Sequence, residues 1–178
     1  GRGFSFQRDE PLSMTMASTG SEITAADIVN TWSAEEIAEV LYKYGEEHFS
    51  RGIAKAIVDK RKEKSFETTF DLIDVIKSAT PPWYSRLRIH PATKTFQALR
   101  IAVNDEIGSL NAGMESGFNR LRPGGRMAII SFHSLEDRQV KQFFKNKVIG
   151  SQAKLINKKP IVPSREEVKA NPRSRSAK

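Results

Sequence analysis

"RPGGRMAIISFHSLEDR", residues 122–138, is the stretch on which the fold class turns. After the Pro-Gly-Gly turn, "MAIISF" (127–132) is an apolar run of the kind that forms a strand buried in a parallel sheet. A helical pattern follows, with Ser134 as the expected N-cap, Asp137 at the third position, and Val140, Phe143 and Phe144 on one apolar face. Turn, buried strand, polar strand end and helix are the grammar of a doubly wound α/β domain. Ligands of such sheets collect at the carboxyl ends of strands, which marks Ser131, His133, Ser134, Glu136, Asp137 and Arg138. One strand makes no sheet, however, and the chain contains no G-x-G-x-x-G turn, so the nucleotide-binding half of the domain is not expected among these residues.

Working upstream, Pro91 suits the first turn of a helix. Phe96, Leu99, Val103, Ile107, Leu110, Met114, Phe118 and Leu121 recur at three- and four-residue steps, which predicts one continuous helix of about seven or eight turns. Gly108, Gly113 and Gly117 loosen its far half. Earlier still, "SAEEIAEVLYKYG" carries a Ser33-x-x-Glu36 capping box, apolar Ile37, Val40, Leu41 and Tyr44, and Gly45 as a stop. Two further helical patterns bring Phe49, Ile53, Ala56 and Ile57, then Phe70, Ile73 and Ile76, to one face each. Residues 23–80 therefore read as an all-helical lobe, preceded by a loop over 1–22 with apolar anchors and followed by a connector over 81–90.

Residues 151–178 form a separate block, with eight Lys or Arg between Lys154 and Lys178 against Glu166 and Glu167. "AKLINKKPIVPS" reads as an edge strand broken by prolines, "SREEVKAN" as a capped helical turn, and "NPRSRSAK" as the approach to another strand. The formal net charge of +8 favours an anionic partner, nucleic acid first. There are no cysteines, which excludes disulfides and thiolate chemistry within the chain, and only His48, His90 and His133 could supply imidazole ligands to a metal. No apolar run is long enough to span a bilayer. The chain begins "GRGFSF" and ends "NPRSRSAK" in mid-pattern, which reads as a fragment whose targeting signals cannot be judged.

Five stretches in order, "RGFSFQRDEPLSMTM", "LYKYGEEHFSRGIAKAIV", "HPATKTFQALRIAVNDEI", "LRPGGRMAIISFHSLEDRQVKQFF" and "NPRSRSAK", together resemble the RsmH (MraW) family of ribosomal RNA cytosine-N4 methyltransferases. The resemblance implies the C-terminal part of a class I, Rossmann-like α/β methyltransferase core with an inserted all-helical domain. By the same comparison, 1–22 is an active-site loop segment, 23–80 the insert, 81–90 a connector, 91–150 the α/β core and 151–178 a partial strand pair. It implies S-adenosylmethionine as cofactor, with its main site upstream of Gly1, and a cytoplasmic enzyme acting on 16S rRNA of the small ribosomal subunit. Departures from the family pattern fall at Glu10, where a glycine is usual, and at Ser13 and Thr15, where charged residues are usual.

Methylating an exocyclic amine requires an extruded base and hydrogen-bond acceptors around its nitrogen. Asp9, Asn104, Ser131, His133, Ser134 and Glu136 are the candidates for that work. Phe4 and Phe132 are stacking surfaces, and Arg2, Arg8, Arg100, Arg138, Arg173 and Arg175 are candidate RNA contacts. His90, Thr93, Lys94, Thr95 and Gln97 make a donor-rich helix start, a candidate phosphate site. His133 reads equally as a structural histidine, and Ser134 and Asp137 as helix caps. Loop 2–16 and strand end 131–138 are expected to close together over the target base.

"TPPWY" (80–84) has the spelling of a base-gripping Pro-Pro-aromatic loop but follows a helix, so it reads as a helix stop, with Trp83 packing against the core or touching RNA. Two alternatives stay open: a catalytically incomplete RNA-binding module, and a DNA amino-methyltransferase. A homo-oligomer is compatible with the sequence, and an unpaired sheet would favour association of the isolated chain.

Overall fold

The computed structural model describes residues 1–16 and 23–178, so the end of the loop expected over 1–22 lies outside the described residues. Backbone contacts divide the chain into two units, Gly1–Glu106 and Ile107–Lys178. The first holds α1 (Ala25–Thr31), α2 (Ala34–Gly45), α3 (Ser50–Lys60), α4 (Thr69–Ser78) and α5 (Ala92–Asn104), with a 3-10 turn at Tyr84–Arg86. α6 (Glu106–Asn119) starts on the last residue of that unit; α7 (Ser134–Ile149), α8 (Arg165–Ala170) and a 3-10 turn at Pro172–Ser176 follow.

Local chemistry explains where the helices of the first unit begin. Thr24, Ser33 and Thr68 each accept from the amide three residues on, while Asp27, Glu36 and Asp71 reach back to the cap amide, closing three capping boxes. The apolar faces of these helices meet in one core: Ile37 and Leu41 of α2, Ile53 and Ile57 of α3, Leu72 and Ile76 of α4 and Leu99 of α5 are fully buried. Leu12 and Met14 of the N-terminal loop join them. Phe70, expected on the core face, is 43 % exposed; Leu72 and Val75 face inward in its place.

α2 extends through Gly45 and ends where Glu46 turns left-handed at φ 49°. Gly45 serves close packing, because a Cβ there would lie 2.6 Å from the Lys94 carbonyl oxygen of α5. Gly45→Ala is expected to destabilise the protein by roughly 1–2 kcal/mol, since α2 and α5 must part to admit the methyl group. Urea unfolding followed by circular dichroism measures this; a midpoint unchanged from wild type would mean that α5 yields freely.

The single long helix expected from Pro91 is in fact two. Asp105, in the left-handed region at φ 43°, separates α5 from α6, a conformation that Asp tolerates better than most residues. Arg100 bridges the break with a bidentate pair to Glu106 at 2.7 and 2.9 Å.

In the second unit the expected strand at 127–132 does not form a sheet. The segment has no helical or strand assignment, and the described residues contain only one isolated β-bridge, Pro11 with Thr68. A strand is defined by its neighbour's backbone groups, and here only Ser131 finds any, exchanging both amide bonds with Lys178 at 3.0 and 2.9 Å. Ile130 is 71 % exposed, and Met127, Ile129, Val140, Phe144 and Val148 line an open cleft of about 1620 Å³.

The sheet of the expected Rossmann-like core is therefore absent among the described residues. The expected edge strand at 153–164 is likewise irregular, and "NPRSRSAK" coils into the 3-10 turn. "SREEVKAN" does form the capped turn expected of it, with Ser164 accepting from the Glu167 amide. α6 and α7 of this unit meet through Phe118 and Phe143, with the Lys147 ammonium over both rings and paired to Glu115 at 2.8 Å.

Candidate functional site

In the first unit the loop Gly1–Met16 is closed on itself and fastened to α5. The Met14 amide donates to the Arg2 carbonyl (2.7 Å), and Arg2 Nη1 donates to the Met16 carbonyl (2.8 Å). Asn104 grips the same segment from the end of α5: its Nδ2 donates to the Met14 carbonyl and its Oδ1 accepts from the Met16 amide, at 2.8 and 2.7 Å. Met14 is held at φ 57° and is 99 % buried, so the turn is fixed rather than open to solvent.

Gly3, at φ 76°, lies so close to Pro11 that a Cβ would sit 2.5 Å from the Pro11 carbonyl oxygen. The three departures from the family pattern make their own bonds: Glu10 Oε2 accepts from the Gly3 amide, and the Ser13 and Thr15 hydroxyls bond each other at 2.9 Å. Thr69 at the start of α4 ties down the middle of the loop, donating to the Arg8 carbonyl and accepting from the Glu10 amide. Asp9 is exposed, and its Oδ1 accepts from the Phe70 amide in the first turn of α4. Arg8 is exposed, and Phe4 is 37 % exposed with the Arg2 guanidinium 5.4 Å from its ring centre.

The donors expected at the start of α5 mostly turn inward. Lys94 donates to the Glu46 carbonyl, and Gln97 donates to the Tyr44 carbonyl, both satisfying the end of α2. Thr95 is fully buried. His90 stacks flat on Phe6 at 4.6 Å and accepts from the Ala92 amide through Nδ1. Arg100 is engaged with Glu106. These side chains join α5 to α2, to the loop and to its own end, a use the helical period could not reveal.

In the second unit, α7 begins one residue earlier than expected. His133, not Ser134, is the N-cap: its Nδ1 accepts from the Glu136 amide at 3.3 Å, while Glu136 Oε2 accepts from the Phe132 and His133 amides at 2.8 and 3.3 Å. His133 Nε2 lies 3.3 Å from Glu136 Oε1, an ion-pair distance without hydrogen-bond alignment. Burial raises the Glu136 carboxyl, but the bonds from His133 and Phe132 outweigh it and bring the pKa down to about 2. Ser134 is the first helical residue, and Asp137 is ionised more readily than usual because Lys141 and Lys178, at 2.6 and 3.2 Å, overcome its desolvation. Ser131 is buried by its pairing with Lys178, Phe132 is 54 % exposed, and Arg138, Arg173 and Arg175 are exposed.

A depressed carboxyl stabilises the fold above its unfolded pKa and loses that contribution as pH falls through its folded one. For Glu136 the window runs from the ordinary 4.5 down to about 2. Glu136→Gln, which keeps the acceptor oxygen but cannot titrate, is expected to flatten part of the acid loss of thermal stability in that window. Melting curves at stepped pH test this, with wild type as reference because Asp27, Asp71 and Asp137 are also depressed; superimposable slopes would remove Glu136 from the account.

The residues present do not form a nucleotide cradle. Among the described residues no glycine lies in a strand-to-helix turn, and the Gly124–Gly125 turn leads from α6 into an irregular segment. No step is therefore assigned to a bound cofactor on these residues.

A model of the MraW methylase family matches residues 1–178. The chain belongs to the MraW methylase family. Relatives named ribosomal RNA small subunit methyltransferase H include those of Persephonella marina, 49 % identical over 177 residues, and Nostoc punctiforme, 51 % identical over 177. A third, from Kosmotoga olearia, is 51 % identical over 180 residues. These alignments cover 99, 99 and 100 % of this chain and 60, 57 and 59 % of the relatives. The chain thus spans about 60 % of the length of the curated relatives it matches. Among the described residues no helix is long and apolar enough to cross a membrane.

Proposed function

We propose that the chain is part of an S-adenosylmethionine-dependent methyltransferase that modifies the N4 amine of a cytidine in the decoding region of 16S rRNA. The unbroken family match over residues 1–178 carries this reading, together with the relatives' name. The substrate is the small subunit or its RNA, the setting is cytoplasmic, and the main cofactor contacts lie upstream of Gly1. Within the chain, 1–22 is the active-site loop, 23–80 the helical insert, 81–90 the connector, 91–150 core and 151–178 a basic C-terminal segment.

The candidate residues divide by what they already hold. Asn104, His133 and Glu136 have their side chains engaged by backbone groups, so they position the segments on either side of them. Asp9 holds the Phe70 amide through Oδ1 but, as the exposed carboxylate of the clasped loop, keeps Oδ2 to accept an amine proton. Phe4 supplies a partly exposed ring in the same loop, with Arg2 and Arg8 as phosphate contacts. The DNA alternative loses support because its only clue, "TPPWY", follows the helix α4 and not a core strand.

The test is transfer of a labelled methyl group from S-adenosylmethionine to small ribosomal subunits, by this chain and by a form extended upstream of Gly1, with calorimetry for cofactor binding. The extended form should label a cytidine in small-subunit RNA. Labelling of duplex DNA in place of RNA would overturn the proposal, and tight cofactor binding by the 178-residue chain alone would overturn the placement of the cofactor site.

A further inference from the structure

The connector between α4 and α5 has an exposed, cation-bearing surface that none of the candidate residues above explains. Trp83, Leu87 and Ile89 are 54, 50 and 57 % exposed, and Arg86 and Arg88 are exposed among them. Solvent-facing tryptophan, leucine and isoleucine within seven residues of one another stand out in the first unit, whose own core is closed.

The surface is rigid. Tyr84 is buried and donates its hydroxyl to Glu47 at 2.6 Å, and Glu47, fully buried, also accepts from the Phe49 amide. Trp83 stands edge-on to Phe49 and Tyr84, with ring centres 5.9 and 5.8 Å away, so its indole is held in place from behind while half its surface stays open. Pro81 adds a backbone stop, its carbonyl accepting from the Tyr84 amide.

Along the connector the exposed charge has one sign. From Val75 to Asn104 the chain contains no Asp or Glu but includes Lys77, Arg86, Arg88, Lys94 and Arg100. Of these, Lys94 and Arg100 are engaged internally, as above, which leaves Arg86 and Arg88 on the connector and Lys77 at the end of α4. Lys77 is near enough to His90, at the far end of the connector, to disfavour protonation of the imidazole alongside its burial. A fixed aromatic face with exposed arginines following it in the chain is what single-stranded nucleic acid selects: a base stacks on the ring while arginines follow the backbone. A bilayer would favour an aromatic ring free to plunge, whereas this one is held against Phe49 and Tyr84.

We propose that the connector, with Trp83 as stacking platform and Arg86 and Arg88 as phosphate contacts, is a docking surface for single-stranded RNA distinct from the clasped loop. The proposal rests on the RNA substrate of the preceding section and adds where flanking RNA is held.

The experiment titrates the 178-residue chain, in a Trp32→Phe background so that Trp83 reports alone, with a fluorescein-labelled single-stranded RNA taken from the small-subunit decoding region. Trp83 emission should be quenched as anisotropy rises. Trp83→Ala should weaken binding about tenfold, with Trp83→Phe recovering part of it. Arg86→Gln with Arg88→Gln should reduce the salt slope by about 1.4. Circular dichroism confirms that each variant is folded.

If wild type binds RNA but Trp83→Ala binds equally well and Trp83 is not quenched, the docking surface is wrong while the RNA-modifying function stands. If the chain binds no RNA, and Trp83 instead shifts on vesicles of phosphatidylcholine and phosphatidylserine, the partner is a lipid surface and the proposal falls. Absence of both responses overturns it as well, whereas the methyl-transfer assay on the extended form decides the functional reading independently.

Discussion

Asn104→Ala is expected to lower stability by about 3 kcal/mol and to release the N-terminal loop from α5. The residue makes three side-chain bonds: Nδ2 donates to the Met14 and Arg100 carbonyls, and Oδ1 accepts from the Met16 amide. Removing the amide leaves Met14, which is 99 % buried and already in a left-handed conformation, with nothing to hold its carbonyl in place. The two part-buried carbonyls left without a donor cost on the order of 1–1.5 kcal/mol each, while the exposed Met16 amide turns to solvent and the strain at Met14 is free to relax.

Hydrogen exchange separates release of the loop from general loosening. The Met16 amide should lose its protection in Asn104→Ala while the amides of α5 around Leu99 keep theirs. Equal loss in both places would mean that Asn104 supports the helix rather than the loop. Should the loop border the target base as proposed, the same variant in the extended protein would lose about 100-fold in kcat, because misplacing a contact by an ångström is enough to do so. Asn104→Asp should fare little better, since a carboxylate cannot donate to the two carbonyls.

How much of this was visible beforehand depends on how far apart in sequence the partners lie. The α2 boundary was legible because Ser33 and Glu36 spell a capping box within four residues, and the apolar faces of α2 and α3 follow directly from their period. At α7 the observed cap lies one residue before the expected one. Ser134 with Asp137 fits the usual cap preference, and His133 with Glu136 is the pair that forms, because the Glu136 carboxylate can reach both the Phe132 and the His133 amides.

The break at Asp105 was hidden for a different reason. Beside it Asn104 bonds to Met14 and Met16, 90 and 88 residues away, and no short window of the sequence contains both ends. The apolar run at 127–132 failed likewise, since composition can mark a segment fit for a sheet without supplying the neighbouring strands. Lys94 and Thr95 were correctly placed on the first turns of a helix, but which face meets α2 is a tertiary fact. Family resemblance bridged some of these gaps, fixing the family without fixing what each side chain touches.

Tyr84→Phe is the second large effect expected, because it strips from a fully buried carboxylate its one side-chain donor among the described residues. Glu47 sits at the junction of α2 and α3 with one oxygen on the Phe49 amide and the other on the Tyr84 hydroxyl, at 2.9 and 2.6 Å. Burial, with the carboxylate beside it, pushes the phenol far above its ordinary pKa, so it remains a donor at any pH at which the protein is folded. Phenylalanine keeps the ring contacts with Phe49 and Trp83 and removes only the hydroxyl, leaving an acceptor in the interior without its donor. The expected cost is about 2–3 kcal/mol, more than the loss of a typical solvent-exposed bond. Glu47→Gln in the Tyr84→Phe background should restore roughly half of it, since a neutral amide is far cheaper to leave underpaired than a carboxylate. Chemical denaturation of the four corners of this double-mutant cycle gives the coupling directly. A coupling near zero would mean that Glu47 is served by its backbone donor alone and that Tyr84 is held by its ring.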